Sequence, residues 1–332
     1  MQRRKDKNNR RTKWRDFADW AKRRPLVLRI ADQLTRGRGR MRVFDALVQP
    51  APAREPDLDA WSLASISAAW LGHATVLLRV NGLTVLVDPV LGTRVGLGAG
   101  LFTLGPARLI RPALRIDQLP PIDLVLITHA HLDHLDRPSL KRIADRNPRA
   151  SIVCPAGCYD LIGDLNFREA REISWDSRSS HDRAVNARGV CITALPVVHD
   201  GARVFSDQHR QSCSFLIETD DSRLLVSGDT AYHENWLDLN VDLAIVNIGA
   251  YDPWVGGHAT PEQMWSMCQL ASARQVMSVH HSTFRLGLEP DREPLQRFLK
   301  AAGAEASRIV ARNIGDVWTS SNQSALPITV RS

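Results

Sequence analysis

The chain has 332 residues, 44% of them apolar and 24% charged, which allows a sizeable core and excludes a mainly disordered chain, a collagen-like fibre or a disulfide scaffold. No uninterrupted apolar stretch approaches the ~18 residues of a membrane span. The net charge of +7 hints at nucleic acid only until it is placed: residues 1–42 hold 16 of the 43 Lys and Arg but 4 of the 36 Asp and Glu, so they carry +12 and the remaining 290 residues carry −5.

Residues 1–48 are a basic N-terminal extension, in which Trp14, Phe17 and Ala21 would share one helical face with Lys and Arg opposite. Its most apolar run, residues 25–31, is short and broken by Arg29, unlike the centre of a signal peptide. A cytoplasmic protein is expected, peripheral at the membrane if Trp14 and Trp20 among the basic residues contact an anionic lipid surface. Residues 49–60, with three prolines and no apolar periodicity, read as a linker. Residues 61–320 read as the globular domain and 321–332 as a polar tail. Short runs rich in Val, Ile and Leu predict strands over 74–80, 83–88, 122–128, 190–198, 214–219, 223–227, 242–248 and 275–280. Helices are predicted over 137–146, 155–164, 261–271 and 291–303, with Pro138 and Pro261 in first turns and Thr260 as an N-cap. The alternation gives an α/β protein with a sheet-based core. Cys154, Cys158, Cys191, Cys213 and Cys268 are odd in number and lack zinc-ribbon or Cys-x-x-Cys spacing, so they read as buried, reduced thiols.

The chemistry concentrates in Thr128-His-Ala-His-Leu-Asp-His-Leu-Asp136, directly after the apolar run 122–127. His129 and His131, two apart, point the same way on extended chain. Asp133 and His134 follow where the chain turns towards a helix. Three imidazoles and a carboxylate within six residues form a donor set for a borderline metal such as zinc. One loop cannot close around two ions, so further donors are expected elsewhere. His199, Asp229 and His280 each follow a predicted strand, and strand C-termini in α/β sheets collect at one edge. Asp88 ends a strand in the same manner.

The run His129-x-His131-x-Asp133-His134, with the later His199, Asp229 and His280, resembles the metallo-β-lactamase superfamily. Trp70-Leu-Gly-His-Ala-Thr75, Asp88-Pro89, Leu119-Pro-Pro-Ile-Asp123, His134-Leu-Asp136, Gly228-Asp-Thr230, Gly249-Ala-Tyr251 and His280-x-x-Thr-Phe284 are similar to its N-acylphosphatidylethanolamine-hydrolysing phospholipase D branch and bacterial relatives. The resemblance covers residues 61–318 and implies an αββα sandwich. It implies two divalent ions, Zn2+ first and Mn2+ or Fe2+ as alternatives, with a bridging hydroxide as nucleophile. It assigns His129, His131 and His199 to one ion, Asp133, His134 and His280 to the other, and Asp229 to both. His281 departs from the phospholipase pattern, which has Trp there. His258, on the Gly-rich loop before a predicted helix, is implied to bind phosphate or protonate the leaving group. His73, Asp88 and Asp136 are read as partners that orient the ligands by hydrogen bonds. Residues 90–114, with Arg94, Arg108 and Arg111 and no acid, read either as a lip for a lipid chain and its head group or as a connection packed on the core. The expected function is metal-dependent hydrolysis of a phosphodiester in a small-molecule or lipid substrate. The alternatives are a lactonase using the same site and a nucleic-acid phosphodiesterase directed by the basic extension. Nucleic acid is the weaker partner because the body of the chain is acidic.

Overall fold

Strands with apolar residues on both faces need two covering layers. The computed structural model describes residues 50–99, 102–175, 183–203 and 207–320; the basic extension and the polar tail lie outside them. After helix α1 (Leu58–Leu63), strands β1 (Ile66–Gly72), β2 (Thr75–Val80) and β3 (Leu83–Val87) form an antiparallel meander. A separate hairpin follows, β4 (Leu97–Ala99) and β5 (Phe102–Leu104). Then β6 (Leu124–Leu126), helix α2 (Arg137–Arg146), β7 (Ser151–Pro155) and β8 (Glu169–Ile173) extend the first sheet in parallel.

The second sheet repeats the plan. Strands β9 (Arg183–Ala187), β10 (Val190–Pro196), β11 (Cys213–Glu218) and β12 (Arg223–Val226) are antiparallel neighbours. Then β13 (Leu243–Asn247), helix α3 (Pro261–Leu270), β14 (Gln275–Val279), helix α4 (Glu293–Ala302) and β15 (Ile309–Ala311) add parallel strands. The last strand, β16 (Val317–Thr319), returns to the first sheet beside β1.

Alternation along each strand divides the core. Ile66, Ala68 and Trp70 of β1 pack between the sheets with Phe215, Ile217, Val226 and Met277. Their neighbours Ala69 and Leu71 face outward to Trp61 of α1 and Leu140 and Ile143 of α2. Leu225, Ala244 and Val246 face the opposite outer layer of Met264, Trp265 and Phe298. Each fully buried large apolar side chain contributes about 1.5–3 kcal/mol. The result is the expected αββα sandwich. Among the described residues no helix is long and apolar enough to cross a membrane.

Two expectations change and a third is narrowed. The helix predicted over 155–164 does not form: β7 is buried through Pro155, Gly157 turns the chain at φ +84, and one 3-10 turn, Tyr159–Leu161, follows. Pro155 ends a strand rather than starting a helix. The described part of the linker is docked: Ala51 pairs with the backbone of Leu109 and Arg111, Arg54 lies 3.0 Å from Asp316, and Asp57 caps α1. In the basic stretch after β3, Arg108 is a buried strut, donating to the carbonyls of Val90 and Gly92 at 2.5 and 2.8 Å. Val90 and Val95 pack on Phe284, while Leu97 and Leu104 of the hairpin stay exposed. The stretch is therefore packed at its base and apolar at its tip.

His233 lies in the loop after β12, buried edge-on against Trp236. Burial lowers its pKa from 6.5 to about 4. The unfolded chain then binds the proton first, so stability is present above pH 6.5 and lost as pH falls to about 4. The loss is at most about 3 kcal/mol. Urea melts at pH 6.5 and 4.5 should show a smaller difference for His233→Phe than for the wild type.

Candidate metal centre

Five loops deliver the candidate donors to one edge of the sandwich. The loop after β6 carries His129, His131, Asp133 and His134. His199 follows β10, Asp229 follows β12 and His280 follows β14. His73 sits in the β1–β2 turn at φ +52, and its carbonyl accepts from the His280 amide at 3.0 Å. Gly228 holds the turn before Asp229 at φ +57, where a Cβ would lie 2.9 Å from both Thr128 Cβ and the Cys213 carbonyl. A side chain there would push apart the loops of Asp229 and His129.

Two groups of four donors result, and Asp229 and His280 also form a third group with His258. His129, His131, His199 and Asp229 form one, and His73, Asp133, His134 and His280 the other, the donor atoms of each group lying within 4.8 Å of one another. In the first, His131 Nδ1 is 3.1 Å from His129 Nε2 and 3.2 Å from His199 Nε2. In the second, Asp133 Oδ2 is 3.0 Å from His73 Nε2, 3.3 Å from His280 Nε2 and 3.5 Å from His134 Nε2. Asp229 Oδ2 lies between the groups, 3.6 Å from His129, 3.3 Å from His134 and 3.5 Å from His280.

Neighbouring hydrogen bonds decide which ring nitrogen faces inward. Thr128 donates its hydroxyl to Asp88 at 2.7 Å, so its oxygen accepts from His129 Nδ1 at 3.0 Å. His134 Nδ1 donates to Asp88 at 2.7 Å, and His199 Nδ1 donates to the Gly257 carbonyl at 2.8 Å. The Nε2 atoms of these three histidines therefore face into the centre. His134 Nε2 is buried and has no hydrogen-bond partner. Asn247, at the end of β13, donates to Asp229 Oδ1 and leaves Oδ2 to the histidines.

The electrostatics follow from this burial. Burial holds His129 and His199 well below 6.5, with His134 adding to the effect on His129 and His131 on His199. Burial and His280 press His73 down to about 3. Burial acts upward on Asp229, but His280, His134 and His258 hold its carboxyl well below the usual range. Burial also acts downward on His134, but Asp229, Asp133 and Asp88 outweigh it and raise its pKa well above 6.5.

The donor set fits divalent cations. Donors ~2.0–2.1 Å from a tetrahedral ion stand about 3.3–3.4 Å apart. The distances above cluster around that value, so an ion fits among the inward-facing donor atoms.

The other predicted residues divide. His258 Nδ1 is 3.8 Å from Asp229 Oδ2, and its ring stands edge-on to His199 at 5.0 Å. Burial, opposed by Asp229, lowers His258 to about 4, which leaves a neutral imidazole at pH 7. Asp88 touches both Thr128 and His134. Asp136 does not orient a ligand: its carboxylate caps α2, accepting from the Ser139 amide and hydroxyl at 3.2 and 2.6 Å. The sequence pattern cannot distinguish this from a ligand contact, because an N-cap Asp and a ligand partner both stand at the end of the same loop. His281 points away and packs its ring 4.7 Å from Trp70. Sequence reasoning missed Thr128 and Asn247. Thr128 was legible only as the residue joining a strand to the His loop, and Asn247 as an amide closing an apolar run.

Fold and site together define a metal-dependent hydrolase. The beta-lactamase superfamily domain matches residues 84–281, and the chain belongs to the metallo-β-lactamase superfamily. It is 30% identical over 288 residues, 80% of this chain and 79% of the relative, to N-acyl-phosphatidylethanolamine-hydrolyzing phospholipase D 1 of Caenorhabditis elegans. It is 27% identical to a metal-dependent hydrolase of Hyperthermus butylicus over 252 residues, 73% of this chain and 95% of the relative. Among solved structures, an isothiocyanate hydrolase from Delia radicum gut bacteria shares the fold with a TM-score of 0.59 at 18% identity, covering 76% of this chain and 98% of that one.

Proposed function

We propose that the chain hydrolyses a phosphodiester with two divalent ions, zinc by preference, and that its substrate is a phospholipid of the N-acylphosphatidylethanolamine type. The observation that carries the reading is the single oxygen, Asp229 Oδ2, standing between two complete donor groups. His129, His131 and His199 would hold one ion, Asp133, His134 and His280 the other. Bound there, the ions supply Lewis acidity and hydroxide at neutral pH, since a metal lowers the pKa of water to about 7. Among the described residues two carboxylates, Asp133 and Asp229, stand within the donor groups, and two divalent ions would outweigh their charge, which suits an anionic phosphodiester.

The chain's own residues then have separable tasks. Asp88 and Thr128 fix the His134 and His129 rings, and Asn247 fixes Asp229. His258, neutral at pH 7, offers a ring N–H to a phosphoryl oxygen. Support for a lipid comes from the likeness to the nematode phospholipase D and from Leu97 and Leu104, 52% and 66% exposed on the hairpin whose base packs near Phe284. The basic extension, residues 1–48, would add attraction to an anionic bilayer.

The test is incubation of the zinc-loaded full chain with vesicles of N-acylphosphatidylethanolamine, with product analysis. Phosphatidic acid and N-acylethanolamine are expected, and a chelator should stop their formation. Turnover of bis(p-nitrophenyl) phosphate without the lipid would keep the phosphodiesterase and remove the lipid. Turnover of lactones alone would remove both.

A further inference from the structure

Beyond the donors themselves, one guanidinium ties together two of the loops that carry them. Four residues after His199, Arg203 turns back across the His-rich loop. Its Nη1 donates to the carbonyl of Ala130 at 2.8 Å and to that of Leu135 at 2.9 Å. These carbonyls bracket the turn that presents His131, Asp133 and His134. Inside the turn, the His134 and Leu135 amides both bond to the His131 carbonyl, at 3.0 and 2.8 Å. Among the described residues no backbone N–H reaches the carbonyl of Ala130 or Leu135. Both residues are fully buried, so without Arg203 these carbonyls lose their partner where water is scarce.

We propose that Arg203 is a positioning residue of the metal centre: its Nη1 fixes the turn of His131, Asp133 and His134 relative to the loop of His199, so that donors of both ions are preset as one unit. The inference rests on the two-ion reading above. It differs from a plain structural clamp in what it predicts, because a partner that orients ligands sets metal affinity, typically by 10–100-fold. Both bonds leave from one nitrogen, so a lysine ammonium can replace them in kind. Methionine would fill the space and leave two carbonyls unpaired.

The experiment is titration of the metal-depleted full chain with Co2+, followed by its ligand-field absorption, with a melt of each metal-free variant alongside. The wild type should bind two equivalents. Arg203→Met should bind at least one of them about 10–100-fold more weakly, with an altered absorption band. Arg203→Lys should recover most of the affinity and the band. If Arg203→Met does not fold, Arg203→Gln carries the test, since its shorter amide does not span the same reach; the same weakening is expected. A folded Met or Gln variant with wild-type affinity and spectrum would overturn the role of Arg203 and leave the two-ion reading standing. A wild-type chain that takes up no Co2+ would overturn both.

Discussion

Asp229→Ala is expected to lower phosphodiester hydrolysis by at least about 10²-fold, beyond the loss typical of a residue that only orients a ligand. Its Oδ2 faces His129, His134 and His280 at 3.3–3.6 Å, so the change removes the oxygen that stands between the two groups. Metal content should fall from two ions per chain to one or none. Asp229→Asn keeps the size but loses the charge, and should bind metal more weakly than the wild type while folding as well. The measurement is kcat/KM together with metal content on the same preparation. Hydrolysis at the wild-type rate in Asp229→Ala would place the chemistry elsewhere.

The second large effect is on stability. Asp88 is buried and accepts from the Thr128 amide at 2.8 Å, the Thr128 hydroxyl at 2.7 Å and His134 Nδ1 at 2.7 Å. Asp88→Ala strands three buried donors and leaves His134 without its nearest carboxylate. Breaking a buried, hydrogen-bonded charge of this kind costs about 3–5 kcal/mol. For a domain of this size that is a Tm loss of about 10 °C. Metal affinity should drop 10–100-fold as well, because the His134 ring loses its anchor. Calorimetry on the metal-free chain separates the two parts. An Asp88→Ala Tm within 2–3 °C of the wild type would show that the network carries little of the expected ~3–5 kcal/mol.

Much of this site was readable from strand ends. His199, Asp229 and His280 stand after apolar runs, and the physics of strands feeding loops at one edge brings them together. The β1–β2 turn was harder. His73 reaches the second donor group because its amide bonds to Thr283 Oγ1 at 2.7 Å, a contact 210 residues away in sequence. Asn247 was hidden for the opposite reason: it belongs to a strand buried along its whole length, and only the turn of Asp229 towards it shows its use. In the fold, two of the missed strands break the apolar pattern. β1 is rich in Ser and Ala, and β8 is an edge strand with exposed Glu and Arg. Their pairing is set by neighbours, not by their own composition.

The most direct measurement is the rate of bis(p-nitrophenyl) phosphate hydrolysis by the metal-depleted full chain as Zn2+ is added in known equivalents. No turnover is expected without metal, and a rise that ends at two equivalents per chain. A rate unaffected by metal depletion, or one complete at a single equivalent, would contradict the two-ion reading.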